Sequence, residues 1–576
     1  MQPIPGSDSY TAANKWLIAV TVMFGAFMAV MDISVVNVAV PHMQGAFSQS
    51  LSNITWVATS YSIAEIIMIT MAGWFSTLIG RKRLYLASMA VFTLGSILSG
   101  TAQSFTQMLI YRSIQGLGGG ALIPVSQAIL RETFPEDEQG MAMAVYSMAV
   151  VLAPMVGPIL GGYLTDHFGW PWIFYINVPV AIPAMLMILA VVHDPPYLRR
   201  GVKRIDWVGI VLMALGLTFL QIVLERGQQD QWLSSHFIDI GIAITVFSLA
   251  AFIIWEFYNK EPIFNLRLLK NVPLAAGSVI AVIFGIGLSG SSFILPQLTQ
   301  RLLGYTAYQS GLVTLPRALA LFCLMPLAGW LYKFLDGRLM ILAGLCLLGL
   351  SYYDLAHLSL HVDFWSLAPM LFLMGAGLPF MFVTLSTLSL SRVKRPDMTD
   401  ASSIYTLARR VGGNVGYALV ATIVAYREQF HRSRLVGNVS LYNPTYLQVH
   451  ARIVSALEAA GQDVRSAQGL AMGVINNMVN RQASIMAYND VSFVLGMFFV
   501  LTPPLLIFLP GRCRPPVSQS QQSPAAPPQD AAAAMETPLV ETPSVNGSQN
   551  GHANHRRLPA TPTPGPRPIE PATGRP

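Results

Sequence analysis

Residues 72–83 read Ala72-Gly73-Trp74-Phe75-Ser76-Thr77-Leu78-Ile79-Gly80-Arg81-Lys82-Arg83, and a degraded copy returns at Ala328-Gly329-Trp330-Leu331 with Gly337-Arg338. In both places a long apolar run ends in a turn marked by glycine and a basic side chain. The two copies stand eight apolar runs apart. A weaker echo pairs Tyr146 through Gly157 with Tyr405 through Gly416 at the same separation. Self-similarity at a fixed offset marks a duplicated unit. Here it predicts two six-helix bundles with two further helices inserted between them. Parallel halves related by an axis along the membrane normal place a substrate site between them, near the midplane.

The rest of the chain fits that frame. Of 576 residues, 53% are hydrophobic and 11% charged, against roughly a quarter charged in an ordinary soluble domain. Apolar runs of about 20 residues, the length that crosses a hydrocarbon core, fall near 15–40, 53–78, 84–102, 105–130, 140–164, 172–192, 206–225, 237–257, 273–296, 307–332, 339–358, 364–390, 400–425 and 484–510. The expected fold class is an all-α polytopic membrane protein with fourteen transmembrane helices arranged 6+2+6. Cys323 and Cys346 lie inside apolar runs and Cys513 just beyond the last, which supports neither a disulfide framework nor a metal site. The polar opening segment has no small-residue cleavage site after it, so no removable signal peptide is expected.

Orientation follows from charge. With the N-terminus inside, the inward connections hold Arg81, Lys82, Arg83, Arg131, Arg199, Arg200, Lys203, Arg204, Lys260, Arg267 and Lys270 from the first half and the insert. Lys333, Arg338, Arg392, Lys394 and Arg395 follow in the second half, whereas the short outward connections hold only Arg226 and Arg301. Positive residues accumulate on the cytoplasmic side, so both termini are expected in the cytoplasm of a cell whose inner membrane the chain spans. The net charge of +7 is explained by this bias, and no nucleic-acid partner is needed. The expected division is a cytoplasmic N-terminus (1–14), an N-terminal bundle (15–192), a linker with the inserted pair (193–257) and a C-terminal bundle (258–510). That last bundle includes an outward loop at 427–483. The Pro-, Ala-, Gln- and Ser-rich tail 511–576 is too poor in bulky apolar residues to form a core. In the outward loop, the stretch from Leu447 to Val474 reads as helical; it is either an external docking element or a solvated spacer.

Several strings on these helices resemble one family. Asp32-Ile33-Ser34-Val35-Val36-Asn37-Val38-Ala39-Val40-Pro41, Arg112-Ser113-Ile114-Gln115-Gly116-Leu117-Gly118-Gly119 and Gly157-Pro158-Ile159-Leu160-Gly161-Gly162 are similar to signatures of fourteen-helix drug:proton antiporters. These belong to the major facilitator superfamily, EmrB/QacA type, and the resemblance covers about residues 15–510. It implies proton coupling through Arg112 and an antiporter motif of Pro154, Gly157, Pro158, Gly161 and Gly162. It also implies a cytoplasmic gate at Gly73, Gly80, Arg81, Lys82 and Arg83. Thr77 stands where the wider superfamily usually has Asp, so the carboxylate latch of that gate is missing from its usual place. Glu65 and the long outward loop look closer to EmrB than to QacA. That implies a Gram-negative inner membrane, with a periplasmic adaptor and an outer-membrane channel as partners.

Independently of the family, small residues let helices approach and prolines bend them. Charges within a bilayer are costly unless paired or wetted, and they mark function by default. At about 1.5 Å per residue, Asp32 lies roughly 14 Å below Pro41, Glu65 roughly 18 Å below Asn53 and Arg112 roughly 12 Å below Ser104. Two carboxylates and a guanidinium at overlapping depth are expected to form one proton-exchange cluster, the alternative being a permanent ion pair. In the second half, Met374 stands near the counterpart of Arg112. Arg317 and Asp354 are a candidate pair there, and one of Arg409 and Arg410 should face the central cavity. Tyr61, Gln127 and Gln297 are further candidate cavity residues.

The expected function is efflux of hydrophobic or amphipathic, often cationic, small molecules in exchange for protons, with the proton gradient as energy source and no cofactor. A dedicated exporter of one metabolite, such as a fatty acid, siderophore or antibiotic, would use the same scaffold. A membrane receptor is the alternative from another class. No nucleotide-binding loop, metal-ligand cluster or nucleophile constellation is legible, so an enzyme is not expected.

Overall fold

The computed structural model describes residues 12–135, 138–194, 205–259 and 262–511. The expected N-terminal segment is therefore covered only in part. The tail beyond residue 511, and Arg199, Arg200, Lys203, Arg204, Lys260 and Cys513, lie outside the described residues.

Among the described residues there is no strand. The helices are α1 (Ala12–Ala46), α2 (Leu51–Ile54), α3 (Trp56–Ile79), α4 (Arg81–Gly100), α5 (Phe105–Thr133), α6 (Gln139–Phe168), α7 (Trp172–Tyr175), α8 (Asn177–Val191) and α9 (Trp207–Arg226). They continue as α10 (His236–Tyr258), α11 (Val272–Pro296), α12 (Ala307–Val313), α13 (Leu315–Leu331), α14 (Gly337–Leu355), α15 (Phe364–Ser389), α16 (Met398–Val436), α17 (Pro444–Ala459) and α18 (Val464–Leu501). Among the described residues, eleven rods are long and apolar enough to cross a membrane, and twelve when α6, bent by 40° near Pro154, counts as one. Two of the expected spans, α5 and α16, are absent from that set. The polar side chains that thin their apolar character, Arg112, Gln115 and Gln127 on α5 and Arg409, Arg410 and Asn414 on α16, are the ones that build the site.

Side chains such as Phe247, Trp365 and Leu186 are more than half exposed on the outer surface, an apolar belt that suits lipid rather than water. The repeat is physical. Gly73 on α3 lies against Asp400 at the start of α16, and Gly329 on α13 lies against Ala144 and the Gly140 carbonyl of α6. Equivalent glycines thus let each half approach the other at the basic end of the bundle. Gly80, with φ of 91°, turns α3 into α4, a backbone state that glycine takes without steric cost.

The outward loop differs from expectation. The α16 helix runs on to Val436 and α18 starts as early as Val464, so much of 427–483 is extension of the neighbouring helices. The stretch read as one helix is broken at Gly461, whose φ is 92°. Asp463 then caps α18 by accepting from the Ser466 amide at 3.2 Å, a hydrogen bond that helix starts lack otherwise.

Candidate functional site

Among the described residues, two ion pairs lie deep in the bundle, away from its ends. Asp32 on α1 accepts from Arg112 Nη1 at 2.6 Å, from Gln115 Nε2 at 2.8 Å and from Asn177 Nδ2 at 3.1 Å. Asp32 and Arg112 are both essentially unexposed. Arg112 also donates through Nε to the Val57 carbonyl at 3.2 Å. Its guanidinium lies 4.4 Å from the centre of the Tyr61 ring and 5.6 Å from that of Phe174, a stacking that suits a delocalised cation. Ser96 joins the set, accepting from Gln115 and Asn177. Four helices, α1, α4, α5 and α8, therefore converge on one carboxylate.

Glu65 is not in that cluster. It is buried on α3 and pairs with Arg410 of α16, in the opposite half. The single cluster expected from depth is thus two pairs, because depth fixes the level of a residue but not the helix face that carries it. Tyr61, one turn before Glu65 on α3, separates them: its ring faces Arg112 and its hydroxyl reaches the Ala29 carbonyl at 3.4 Å.

Arg409 lines a cleft between the halves with Gln127, Tyr146, Ser147, Phe382 and Tyr405, its guanidinium 5.5 Å from the Phe382 ring centre. Gln127 accepts from Ser402 at 2.6 Å. Both successive arginines of α16 therefore reach the interior, not one. The Arg317–Asp354 pair does not form. Arg317 donates to Ser291 at 3.2 Å, and the α14 residue on its side of the bundle is Tyr352, which bonds the Gly287 carbonyl. Asp354 sits two residues on, about 200° further round the helix. Gln297 lies where α11 passes into a π turn, Gln297–Leu302, away from the Arg409 cleft. Met374 is buried beside Arg317 in the second half.

On α6, Gly157 lies against Ser34 and Gly161 against Val35 of α1, and the Pro154 carbonyl, freed by the proline at 158, accepts from Ser34 at 2.9 Å. Gly162 faces open space, so it is not a packing glycine, contrary to expectation. At the basic end, Arg81 is buried, pairs with Glu132 of α5 and donates to the Arg395 carbonyl at 2.9 Å. Lys82 caps α8 by donating to the Leu189 carbonyl at 2.7 Å, and Arg83 is exposed. Ser76 and Thr399 touch at 3.2 Å, Gln127 holds Ser402, and Arg131 donates to the Thr387 carbonyl. These bonds between the halves run from the basic end up to Glu65 and Arg410, so the molecule is closed at that end. Thr77 merely bonds its own helix; the acidic partners at the gate are Glu132 and Asp400.

The sequence profile of the Major Facilitator Superfamily matches residues 22–417. The chain belongs to this superfamily. It is 32% identical over 491 residues to "Multidrug export protein EmrB" of Escherichia coli K12, covering 85% of this chain and 94% of that one. It is 30% identical over 497 residues to "Fatty acid resistance protein FarB" of Neisseria gonorrhoeae, covering 86% and 96%. Within the superfamily it is therefore an EmrB-type transporter, not a receptor or an enzyme. The fold also matches the crystal structure of the human organic anion transporter MFSD10, with a TM-score of 0.56 at 13% identity, over 85% of this chain and 99% of that one.

Asn177, Ser96, Glu132 and Asp400 were not singled out in the sequence. Gln115 was legible in principle, since three residues after Arg112 it shares a helix face. Asn177 is an isolated polar residue at the start of an apolar span, a weak signal.

Proposed function

We propose that the chain exports hydrophobic and amphipathic small molecules across an inner (plasma) membrane in exchange for protons, by alternating access. One observation carries this: Glu65 and Arg410 join the halves at mid-depth, in a bundle closed at the basic end. An ionised Glu65 holds Arg410, and a proton arriving from the open side removes that charge and loosens the halves. Return to the conformer open at the basic end then requires a proton, which is the condition for exchange rather than leak. Asp32, held by Arg112, Gln115 and Asn177, is the second proton acceptor, and its binding set spans four helices that shift as the cavity changes sides. Gln127, Tyr146 and Arg409 line the route of the cargo.

The same reading takes α5 and α16 as spans, which gives fourteen in the order 6+2+6, divided at 15–192, 193–257 and 258–510. It places the basic end and both termini, 1–14 and 511–576, in the cytoplasm. The opposite end then carries α17 and the extended starts and ends of α16 and α18. Leu447, Leu470 and Met472 are exposed there, and we take this projection as the seat of a periplasmic adaptor that leads to an outer-membrane channel. A dedicated exporter of one amphipathic acid is the second reading. It is favoured by the relative named for fatty acid resistance and by Arg409, a cation facing the cleft.

The test is dye uptake by everted vesicles energised by respiration. Uptake should collapse on addition of an uncoupler and be absent from Asp32→Asn at equal abundance. Uncoupler-insensitive movement of the dye would overturn the proposal.

A further inference from the structure

The repeat sets two residues of different character at one position. The offset that carries Gly73 to Gly329 also carries Tyr61 of α3 to Arg317 of α13. The packing agrees: Gly116 of α5 lies against the Tyr61 carbonyl, and Gly375 of α15 lies against the Arg317 carbonyl. In the first half this position covers a neutralised cation, since the Tyr61 ring faces Arg112 and Arg112 holds Asp32. In the second half the position is itself the cation, and Met374 of α15 lines the same cavity.

Arg317 lies within the apolar rod Gln309–Leu331, roughly 12 Å from its start. A guanidinium cannot shed its proton there, and a charge in that medium is costly unless paired or wetted. Among the described residues no carboxylate forms an ion pair with it. It donates to the Ser291 hydroxyl at 3.2 Å. The side chain is partly exposed, and it borders a cavity of about 190 Å³ walled by α11, α13, α14, α15 and α18, with Phe284, Leu348 and Phe499 among its apolar faces. The two hydroxyls of that cavity commit their protons elsewhere: Ser291 donates to the Leu288 carbonyl at 2.9 Å and Tyr352 to the Gly287 carbonyl at 2.6 Å. The guanidinium therefore supplies the free donors, more than Ser291 alone can accept. A space with a fixed cation, free donors and no carboxylate selects an anion.

We propose that Arg317 anchors a binding site for one monovalent anion inside the second half. The ligand is a halide from the medium or the carboxylate head of an amphipathic acid, since either offers one negative charge and lone pairs to the guanidinium. It enters as the counter-ion that Arg112 already has in Asp32, and no bond is made or broken. Apolar walls with a single charged group to orient the ligand are the usual build of a small-molecule site. The Arg409 cleft is a separate place: Phe284 of this cavity meets Phe382 of that one edge to face at 4.8 Å, so an aromatic pair stands between the two arginines. The inference concerns binding alone and does not require proton coupling.

The experiment is equilibrium dialysis of the purified full-length protein in detergent and chloride-free buffer, against radiolabelled chloride in one arm and radiolabelled laurate in the other. Wild type should bind at least one of the two stoichiometrically. Arg317→Met, an apolar chain of similar length, should bind it about tenfold or more weakly, and Arg317→Lys, which keeps the charge, should fall between. Chloride binding would identify an inorganic counter-ion. Laurate displaced by excess laurate but not by methyl laurate would identify a cargo carboxylate. Removing an uncompensated charge should leave the fold intact, so Arg317→Met should also lose the rise in melting temperature that the anion gives wild type; Arg317→Gln serves the same purpose if the Met variant does not stay monodisperse. The inference is overturned if wild type binds neither anion, or if methyl laurate displaces laurate equally and no chloride is bound. Binding that survives loss of the Arg317 charge but disappears in Arg409→Gln would also overturn it, by placing the anion in the other cleft. None of these results bears on Asp32 and Glu65, which carry the proton-coupled reading.

Discussion

Replacing Arg410 by Ala removes the bond that joins the halves at mid-depth. Breaking a fully buried pair by deleting one partner costs about 3–5 kcal/mol, and an exposed pair is worth about 0–1 kcal/mol. Glu65 is 3% exposed and Arg410 29%, so the cost lies between, at about 2 kcal/mol. In the proposed cycle the pair breaks when the basic end opens, so the loss falls on the balance between the two conformers, by roughly 30-fold. Ser76 and Thr399, which touch at 3.2 Å across the halves, report that balance. With Cys323, Cys346 and Cys513 replaced, Ser76→Cys with Thr399→Cys should form a disulfide readily. Adding Arg410→Ala should slow its formation severalfold or more. An unchanged rate would refute the argument that this pair holds the basic end closed.

Other changes read other parts of the structure. Asp32→Asn keeps the shape but aims an amide at the donors of Gln115 and Asn177; proton-coupled transport should fall by about a hundredfold or more, with membrane abundance checked in parallel. Gly73→Val would drive a side chain into Asp400 and the α16 backbone, so the basic end should fail to close and the Ser76–Thr399 cross-link should be lost. Asp463, exposed at the start of α18, is held below the usual 3.8 by the Ser466 side chain and backbone. Its folded value is depressed, so its contribution is present above the unfolded value and is lost as pH falls through the folded one. Protection of the first-turn amides of α18 against hydrogen exchange, relative to the intrinsic rate at each pH, should therefore fall as pH drops below about 4, and Asp463→Ala should remove that pH dependence.

Much of the fold was legible because a bilayer imposes length on every apolar run and bias on every basic turn. Gly73 and Gly329 announced the repeat, and their seats against the opposite half explain why glycine stands at both. The helices α5 and α16 were also read from pattern, although the arginines and amides they carry lower their apolar content. What the sequence left open was partnership. Asp32, Glu65 and Arg112 have overlapping depths, but only helix rotation and packing decide that Asp32 takes Arg112 while Glu65 takes Arg410, some 345 positions away in the chain. Depth likewise suggested Arg317 with Asp354, and a two-residue offset on α14 turned the carboxylate away. In the outward loop, Arg427 and His431 both reach Asp490, which ties the extensions of α16 and α18 together. Their polar surfaces hid that helical continuity from any apolar pattern.

The most direct measurement is proton release on cargo binding. The purified protein, in weakly buffered detergent with a pH-sensitive dye, is mixed with a fluorescent cationic or amphipathic substrate near the midpoint of its pH profile. Wild type should release protons in proportion to substrate bound, and the double variant Asp32→Asn, Glu65→Gln should release none while remaining monodisperse. Binding by wild type without any proton release would contradict exchange of cargo for protons at these carboxylates.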